Sequence, residues 1–403
     1  LIDNSHHTFF TTALLSAVLF FAPVPAPGYE LSGYVAGELR TFINSPLINR
    51  QQDSNLSIST QPEFYHAWND GRDSLLFVPF LRLDENDEER THFDVRELTW
   101  LHASDDWELR IGLRKVFWGV TESVHLVDII NQTDLVENVD GEDKLGQPMI
   151  NLALIQDWGT IDLFVLPGFR ERTFPGNRGR LRSIPRVNTD RAVYESSQED
   201  KHVDFAVRWS HTLGDWDIGV AHFYGTSRDP RFLPGLDNSG NPVLLPLYEL
   251  INQTSLDLQA TKGNWLWKLE AIRRSGQGVT YFSTAAGFEY TFYGILESPA
   301  DLGIVAEHLF DDRGRSALTP FDDDIFVGFR LTMNDAQSTE ALIGAIVDRN
   351  KSTKFYSIEA SRRIGDQWKL TLETRLFEQV DRRDPLFSFR QDDFLQLELA
   401  YYF

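Results

Sequence analysis

The chain has 403 residues, 42% hydrophobic and 24% charged, with a mean hydropathy of −0.30, so it is no bundle of membrane-spanning helices. Its net charge of −22 repels nucleic-acid phosphate, and the absence of cysteine excludes disulfide frameworks, thiolate metal sites and thiol catalysis. Against that polar background, aromatic residues make up 13% of the chain, 10 of them Trp.

The first element is an apolar stretch from Thr8 to Ala22, too short to span a bilayer comfortably as a helix. A Pro-rich run follows it, with small residues at Ala26 and Gly28 that suit a signal peptidase. Residues 1–28 are therefore expected to be an export signal cut after Gly28, with a buried amino-terminal helix as the other reading. From Tyr29 onward the sequence alternates with period two, in segments long enough for a tilted strand to cross the hydrocarbon core. Trp107, Leu109, Ile111 and Leu113 alternate with Glu108, Arg110, Gly112 and Arg114. Val203, Phe205, Val207 and Trp209 do so with Asp204, Ala206, Arg208 and Ser210, and the rule returns at 325–332 and 368–376. The last segment sets Leu395, Leu397, Leu399, Tyr401 and Phe403 against Phe394, Gln396, Glu398, Ala400 and Tyr402.

Between these segments, tight turns alternate with longer polar loops. Asn69–Arg72, Ser104–Asp106, Asp157–Gly159, Leu213–Asp215, Lys262–Asn264, Asn334–Ala336 and Gly365–Asp366 read as hairpin turns, and Ser298–Ala300 as a looser one. The long connections fall at 119–147, 171–200, 227–246 and 380–390. A soluble sandwich could show the same alternation on one sheet face. The number of segments and the short-turn, long-loop asymmetry favour an all-β fold instead: a single closed antiparallel transmembrane β-barrel over 29–403. It has about eighteen strands, sixteen being the other count. Lipid forces closure, because an open edge would leave backbone N–H and C=O groups without partners. So wide a barrel has a lumen that wall side chains cannot fill.

The final strand, with its alternating apolar residues, Tyr401 at the third-last position and Phe403 at the end, resembles the assembly signal of bacterial outer-membrane proteins. That resemblance implies recognition by the barrel assembly machinery through Tyr401 and Phe403. The chain from 29 on resembles the porin-like barrels. Arg114-Lys115-Val116-Phe117-Trp118-Gly119, followed by Asp128-Ile129-Ile130-Asn131-Gln132-Thr133-Asp134, is similar to a motif of alginate-export-like and related proteobacterial barrels. The resemblance implies a channel or transporter in the outer membrane, in contact with lipid and lipopolysaccharide. It names no substrate.

The segment after Trp118 is the leading candidate for a constriction. Val124, Leu126, Val127 and Ile130 recur at helical spacing and Thr121 can cap, which predicts a short helix over about 121–131. If the loop folds inward, Glu122, His125, Asp128, Gln132 and Asp134 face the pore; the other reading is a helix on an extracellular surface. His125 and Asp128 supply only two ligands, so no metal site is expected, and no cofactor either. The expected pore-lining charges include Arg110, Arg114, Arg208, Arg330, Arg375 and Glu373, forming facing rows that either set up a transverse field or pair to stiffen the wall. Arg178, Arg180 and Arg182 lie in an arginine-rich stretch suited to an anionic solute or to lipopolysaccharide phosphate; a solvated loop is the alternative.

Three functions fit this pattern. The first is an outer-membrane channel for diffusion of small polar or anionic solutes. The second is a transporter of hydrophobic compounds or lipids, for which Phe80, Phe223, Phe326 and Phe394 on inward faces would form the path. The third is a lipid hydrolase, which would need a Ser–His pair; Ser123 and His125 are close in sequence, but i, i+2 positions of a helix point apart, and no Gly-x-Ser-x-Gly occurs. No enzymatic activity is expected.

Overall fold

A computed structural model describes residues 29–403, so the expected export signal at 1–28 lies outside the described residues. The strands in chain order are β1 (Tyr29–Phe42), β2 (Ser54–Trp68), β3 (Asp73–Asp84), β4 (His92–Ala103), β5 (Trp107–Arg114), β6 (Gln147–Gln156) and β7 (Gly159–Pro167). There follow β8 (Val193–Tyr194), β9 (Val203–Leu213), β10 (Trp216–Thr226), β11 (Arg231–Leu236), β12 (Pro242–Tyr248), β13 (Leu250–Lys262) and β14 (Trp265–Gly276). The last are β15 (Gly278–Phe292), β16 (Asp301–Asp311), β17 (Asp323–Thr332), β18 (Glu340–Asp348), β19 (Lys354–Ile364), β20 (Trp368–Glu378) and β21 (Phe394–Tyr402).

All but β8, β11 and β12 form one 18-stranded sheet in which every neighbour is antiparallel. β1 pairs with β21 from Tyr34↔Tyr402 to Phe42↔Phe394, so the sheet has no edge. Beyond that ladder, the Phe403 amide still donates to the Gly33 carbonyl at 3.1 Å. Closure satisfies the backbone groups that hydrocarbon would leave bare.

The two faces differ as the alternation requires. On β21, Leu395, Leu397 and Leu399 are 39–42% exposed, while Phe394 and Ala400 are buried. Comparable outward rows on neighbouring strands form a continuous apolar surface that only lipid can cover. Trp68, Trp107, Trp158, Trp216, Trp265 and Trp368 border the short turns, where amphipathic rings settle at a bilayer interface. The turns use left-handed backbone where expected: Asn69, Asp70 and Gly71 have φ of 55°, 54° and 83°.

The long connections stand at the opposite end. The stretch 227–246, expected as a plain loop, carries the β11–β12 hairpin, and β8 joins β12 in parallel to make a small three-stranded sheet there. The connections 115–146 and 168–202 turn back into the barrel. The helix expected over 121–131 does not form; turns and bends take its place.

Candidate functional site: a loop-narrowed lumen

Two wall carboxylates explain the missing helix. Glu270 on β14 accepts the Val120 amide (2.7 Å), the Thr121 amide (3.1 Å) and the Thr121 hydroxyl (2.8 Å) at Oε1, and the Val127 amide (3.1 Å) at Oε2. Glu307 on β16 accepts the Glu122 amide (2.7 Å), the Ser123 amide (2.9 Å) and the Ser123 hydroxyl (2.6 Å). A helix would commit the Val127 amide to the carbonyl four residues back. Here the ionised acceptor on the wall takes it, and charge-assisted bonds are the stronger ones. The helical spacing of Val127 and Ile130 records only an apolar side. They pack with Ile129 and Trp118 on Phe164, Phe223, Ile251 and Ile272 of the wall.

The same loop reaches round the rest of the barrel. Asn131 staples its base, accepting from the Val116 amide and donating to the carbonyls of Arg114 and Leu145, each at 2.8 Å. Asp134 pairs with Arg96 of β4 and accepts from Thr173 Oγ1 at 2.6 Å. Glu137 holds Arg82 of β3 at 2.7 Å, and Arg82 and Arg90 share Glu38 of β1 at 3.0 and 2.8 Å. Asn138 donates to Glu373 and Asp140 accepts from Arg375 at 3.1 Å, both on β20.

This arrangement divides the expected constriction residues. Glu122 bridges Arg330 and, at 3.4 Å, Lys268 across the lumen. His125 lies 2.9 Å from Glu142 and 3.8 Å from Glu270, and Asp128 holds Lys144 at 3.2 Å. Gln132 and Asp134 are wholly buried: Gln132 accepts from Arg172, and both serve the packing of the inward loops. The named wall charges all turn inward, and each has a partner. Arg110 meets Glu108, Arg114 meets Asn151 at 2.8 Å, and Arg208 grips Asp257 through two bonds of 2.7 and 2.8 Å. Arg330 also reaches Glu289, and Arg375 gathers Glu359, Glu373 and Asp140.

The second inward connection lies over the first. Arg170 pairs with Asp94 and Arg172 with Asp229, each at 2.8 Å. Arg180 is buried against Asp392 at 2.7 Å, with its guanidinium 4.1 Å from the centre of the Phe42 ring. Arg178 is exposed, and Arg182 donates to the Ser183 carbonyl. Of the three arginines expected to meet an anion, Arg180 is thus committed to an internal carboxylate.

Two recesses flank the tip of the first inward loop. One of about 330 Å³ lies on the loop side, between 123–144, β14–β16 and the 312–321 connection. The other, about 310 Å³, lies on the turn side between Glu122, Asp140 and the wall of β17–β20. Asp140 lines both. Asp140 and Asp143 reach water inside the barrel, but the protein around them weakens their solvation. It pushes the Asp140 carboxyl up to about 6, with Glu373 adding to the push and Arg375 opposing it, and Asp143 up to about 7, with Asp140 and Glu137 adding. Burial works the other way on His125, but the Glu142 and Glu270 carboxylates beside it carry it up to about 10, so it is a cation at neutral pH.

Among the described residues, two carboxylate clusters are spaced closely enough to share a metal ion, but each already has a side-chain cation. Asp134 and Glu137, beside His92, hold Arg96 and Arg82; Asp322 and Asp348, beside Asp324, hold Lys351 at 2.6 and 3.0 Å. Sequence reasoning missed Glu307, Asp140 and Glu142. Glu307 left one sign: an acid between Val305 and Leu309 on an inward face.

No family model and no curated protein matches the sequence. Solved structures do match. OccD3 (OpdP) of Pseudomonas aeruginosa superposes with a TM-score of 0.55 at 10% identity, covering 94% of this chain and 92% of that one. OccK11 (OpdR) of the same species gives 0.52 at 10% identity, over 93% and 95%. Wzi of Escherichia coli, described as a carbohydrate-binding β-barrel involved in group 1 capsule assembly, gives 0.52 at 8% identity, over 91% and 83%. At these identities the likeness is one of fold. In fold, the chain is a closed eighteen-strand β-barrel with an apolar exterior and a charged, loop-filled interior, similar to these barrels.

Proposed function

We propose that the protein is a passive outer-membrane channel for small polar solutes, narrowed by the connection 115–146. The observation that carries this reading is the position of Asp140, at the tip of an inward loop, lining a recess above it and a recess below it. Charged walls facing across a narrow water-filled passage select by size and charge and need no cofactor. The two other functions draw less support. Ser123 gives its hydroxyl hydrogen to Glu307 and His125 lies against Glu142, so these two do not form a nucleophile–base pair. Phe80, Phe223, Phe326 and Phe394 are all at most 4% exposed, covered by neighbouring side chains and the inward loops, and offer a greasy solute no open track. The same reading keeps Arg178 and Arg182 as contacts for lipopolysaccharide phosphate, and Tyr401 with Phe403 as the handle for barrel assembly.

The test is single-channel recording of the protein from residue 29 on, purified in detergent and inserted in planar bilayers. Discrete conductance steps are expected. A preparation that is folded, as judged by heat-modifiable gel migration, yet gives no steps would sink the channel.

A further inference from the structure

The charge on the turn-side recess names the class of solute. Five carboxylates line it, Glu122, Asp140, Glu340, Glu359 and Glu373, against two cations, Arg330 and Lys369. Glu359 and Glu373 are register partners on β19 and β20, so two like charges face each other directly across the ladder. Between them stands Arg375, whose Nη2 alone serves Glu359 (2.7 Å), Asp140 (3.1 Å) and Glu373 (3.3 Å). One positive charge is divided among three negative ones. Glu359 remains half exposed to the lumen, and the Glu340 carboxylate accepts from the neutral Ser361 hydroxyl at 3.0 Å.

The loop-side recess does not counter this excess. Each of its cations already has a carboxylate: Arg172 and Arg274 share Asp229 at 2.8 and 2.9 Å, Arg313 meets Asp311 at 2.7 Å, and Lys144 meets Asp128 at 3.2 Å. His125 meets Glu142 at 2.9 Å, and Arg228 meets Asp204 just outside the recess at 2.6 Å. The arginine-rich connection above is likewise committed through Arg170, Arg172 and Arg180. The basic residues that suggested an anionic solute in the sequence are largely consumed as internal partners. The acidic ones on β18–β20 outnumber the cations that meet them, one guanidinium serving both Glu359 and Glu373.

We infer that the passage is cation-selective and that the solute it takes is a small cation. The inference rests on the channel reading, and it runs against the anionic preference drawn from the arginine-rich loop. Walls of low dielectric around a narrow aqueous path focus the field of uncompensated charge, and rings of Asp and Glu are a common device of cation pores.

The reversal potential across a bilayer separating concentrated from dilute KCl tests this directly. It is best measured with the dilute side near 0.1 M or below, where screening reaches only about 10 Å or more. A K⁺/Cl⁻ permeability ratio well above one is expected. Glu359→Gln should lower it roughly tenfold, because one unit charge about 6 Å away in water favours K⁺ and disfavours Cl⁻ by about threefold each, and adding Glu340→Gln should lower it again. Lys369→Gln should raise it, a change of sign that no folding defect imitates. A ratio at or below one in the unaltered protein, or a ratio indifferent to all three substitutions, overturns the inference and leaves a channel of another selectivity. Absence of any current overturns the channel itself.

Discussion

Glu270 and Val127 meet at 3.1 Å, a strand carboxylate accepting from a loop amide 143 residues earlier in the chain. With its bonds to Val120 and Thr121, that fully buried carboxylate ties the inward loop to the barrel wall. Replacing it with Ala leaves three buried amides without acceptors, at about 1–3 kcal/mol each. Glu270→Ala should therefore release the loop from the wall and raise single-channel conductance, with added open-channel noise. Glu270→Gln, which keeps an acceptor oxygen, should do so much less. Equal conductance in all three proteins would show that this loop does not limit the current.

Arg180→Ala and Asp392→Ala each strand a buried charge, a change that costs about 3–5 kcal/mol where nothing replaces the partner. The expected result is faster protease cleavage within 176–192 in intact cells or proteoliposomes. The double replacement Arg180→Met with Asp392→Leu should restore protection. Cleavage at the same rate in every variant would mean that the ion pair does not hold this connection down.

Acidification should close the channel. Asp143 and Asp140 titrate near 7 and 6 in the docked loop, against an ordinary value of 3.8 once the loop is released. A carboxyl raised in this way favours the docked state most below its ordinary value, and the advantage is lost as pH rises through 6 and 7. His125 acts in the same direction, its contribution complete below 6.5 and lost only through about 10. The groups facing Asp143 are Asp140, Glu137, Asp134 and Arg96; those facing Asp140 are Glu373, Glu142 and Arg375. Conductance should thus fall between pH 8 and pH 5, and Asp143→Asn should give at pH 8 a current close to that of the unaltered protein near pH 6. A flat profile would refute a titrating tip.

Removing Phe403 deletes the last hydrogen bond to Gly33 and the terminal aromatic of the closing strand. The yield of heat-modifiable barrel in outer-membrane fractions should fall several-fold, while refolding of the purified chain into detergent changes little. Equal loss in both assays would assign Phe403 to stability rather than to assembly.

The barrel itself was legible because lipid imposes one rule on every strand. Residues 107–114, 203–210 and 394–402 alternate as that rule demands, and each of the eight turns sits where Gly, Asn, Asp or Pro breaks the pattern. The inward loop was legible only in part. Trp118, Val127 and Ile130 announced an apolar side, but the acceptors that deny the helix its bonds, Glu270 and Glu307, lie some 150 and 185 residues away in the chain. Arg180 was read as a guanidinium in search of an anion. It has one, Asp392, 212 residues further along. Local spacing carries no trace of such partners.

Asp392 stands just ahead of β21, the strand that sews the first and last staves of the sheet together. The guanidinium of Arg180 consequently cannot be anchored until that seam is in reach. A chain stalled one stave short would present an uncovered mouth, so the stretch around Arg180 doubles as a reporter of finished assembly.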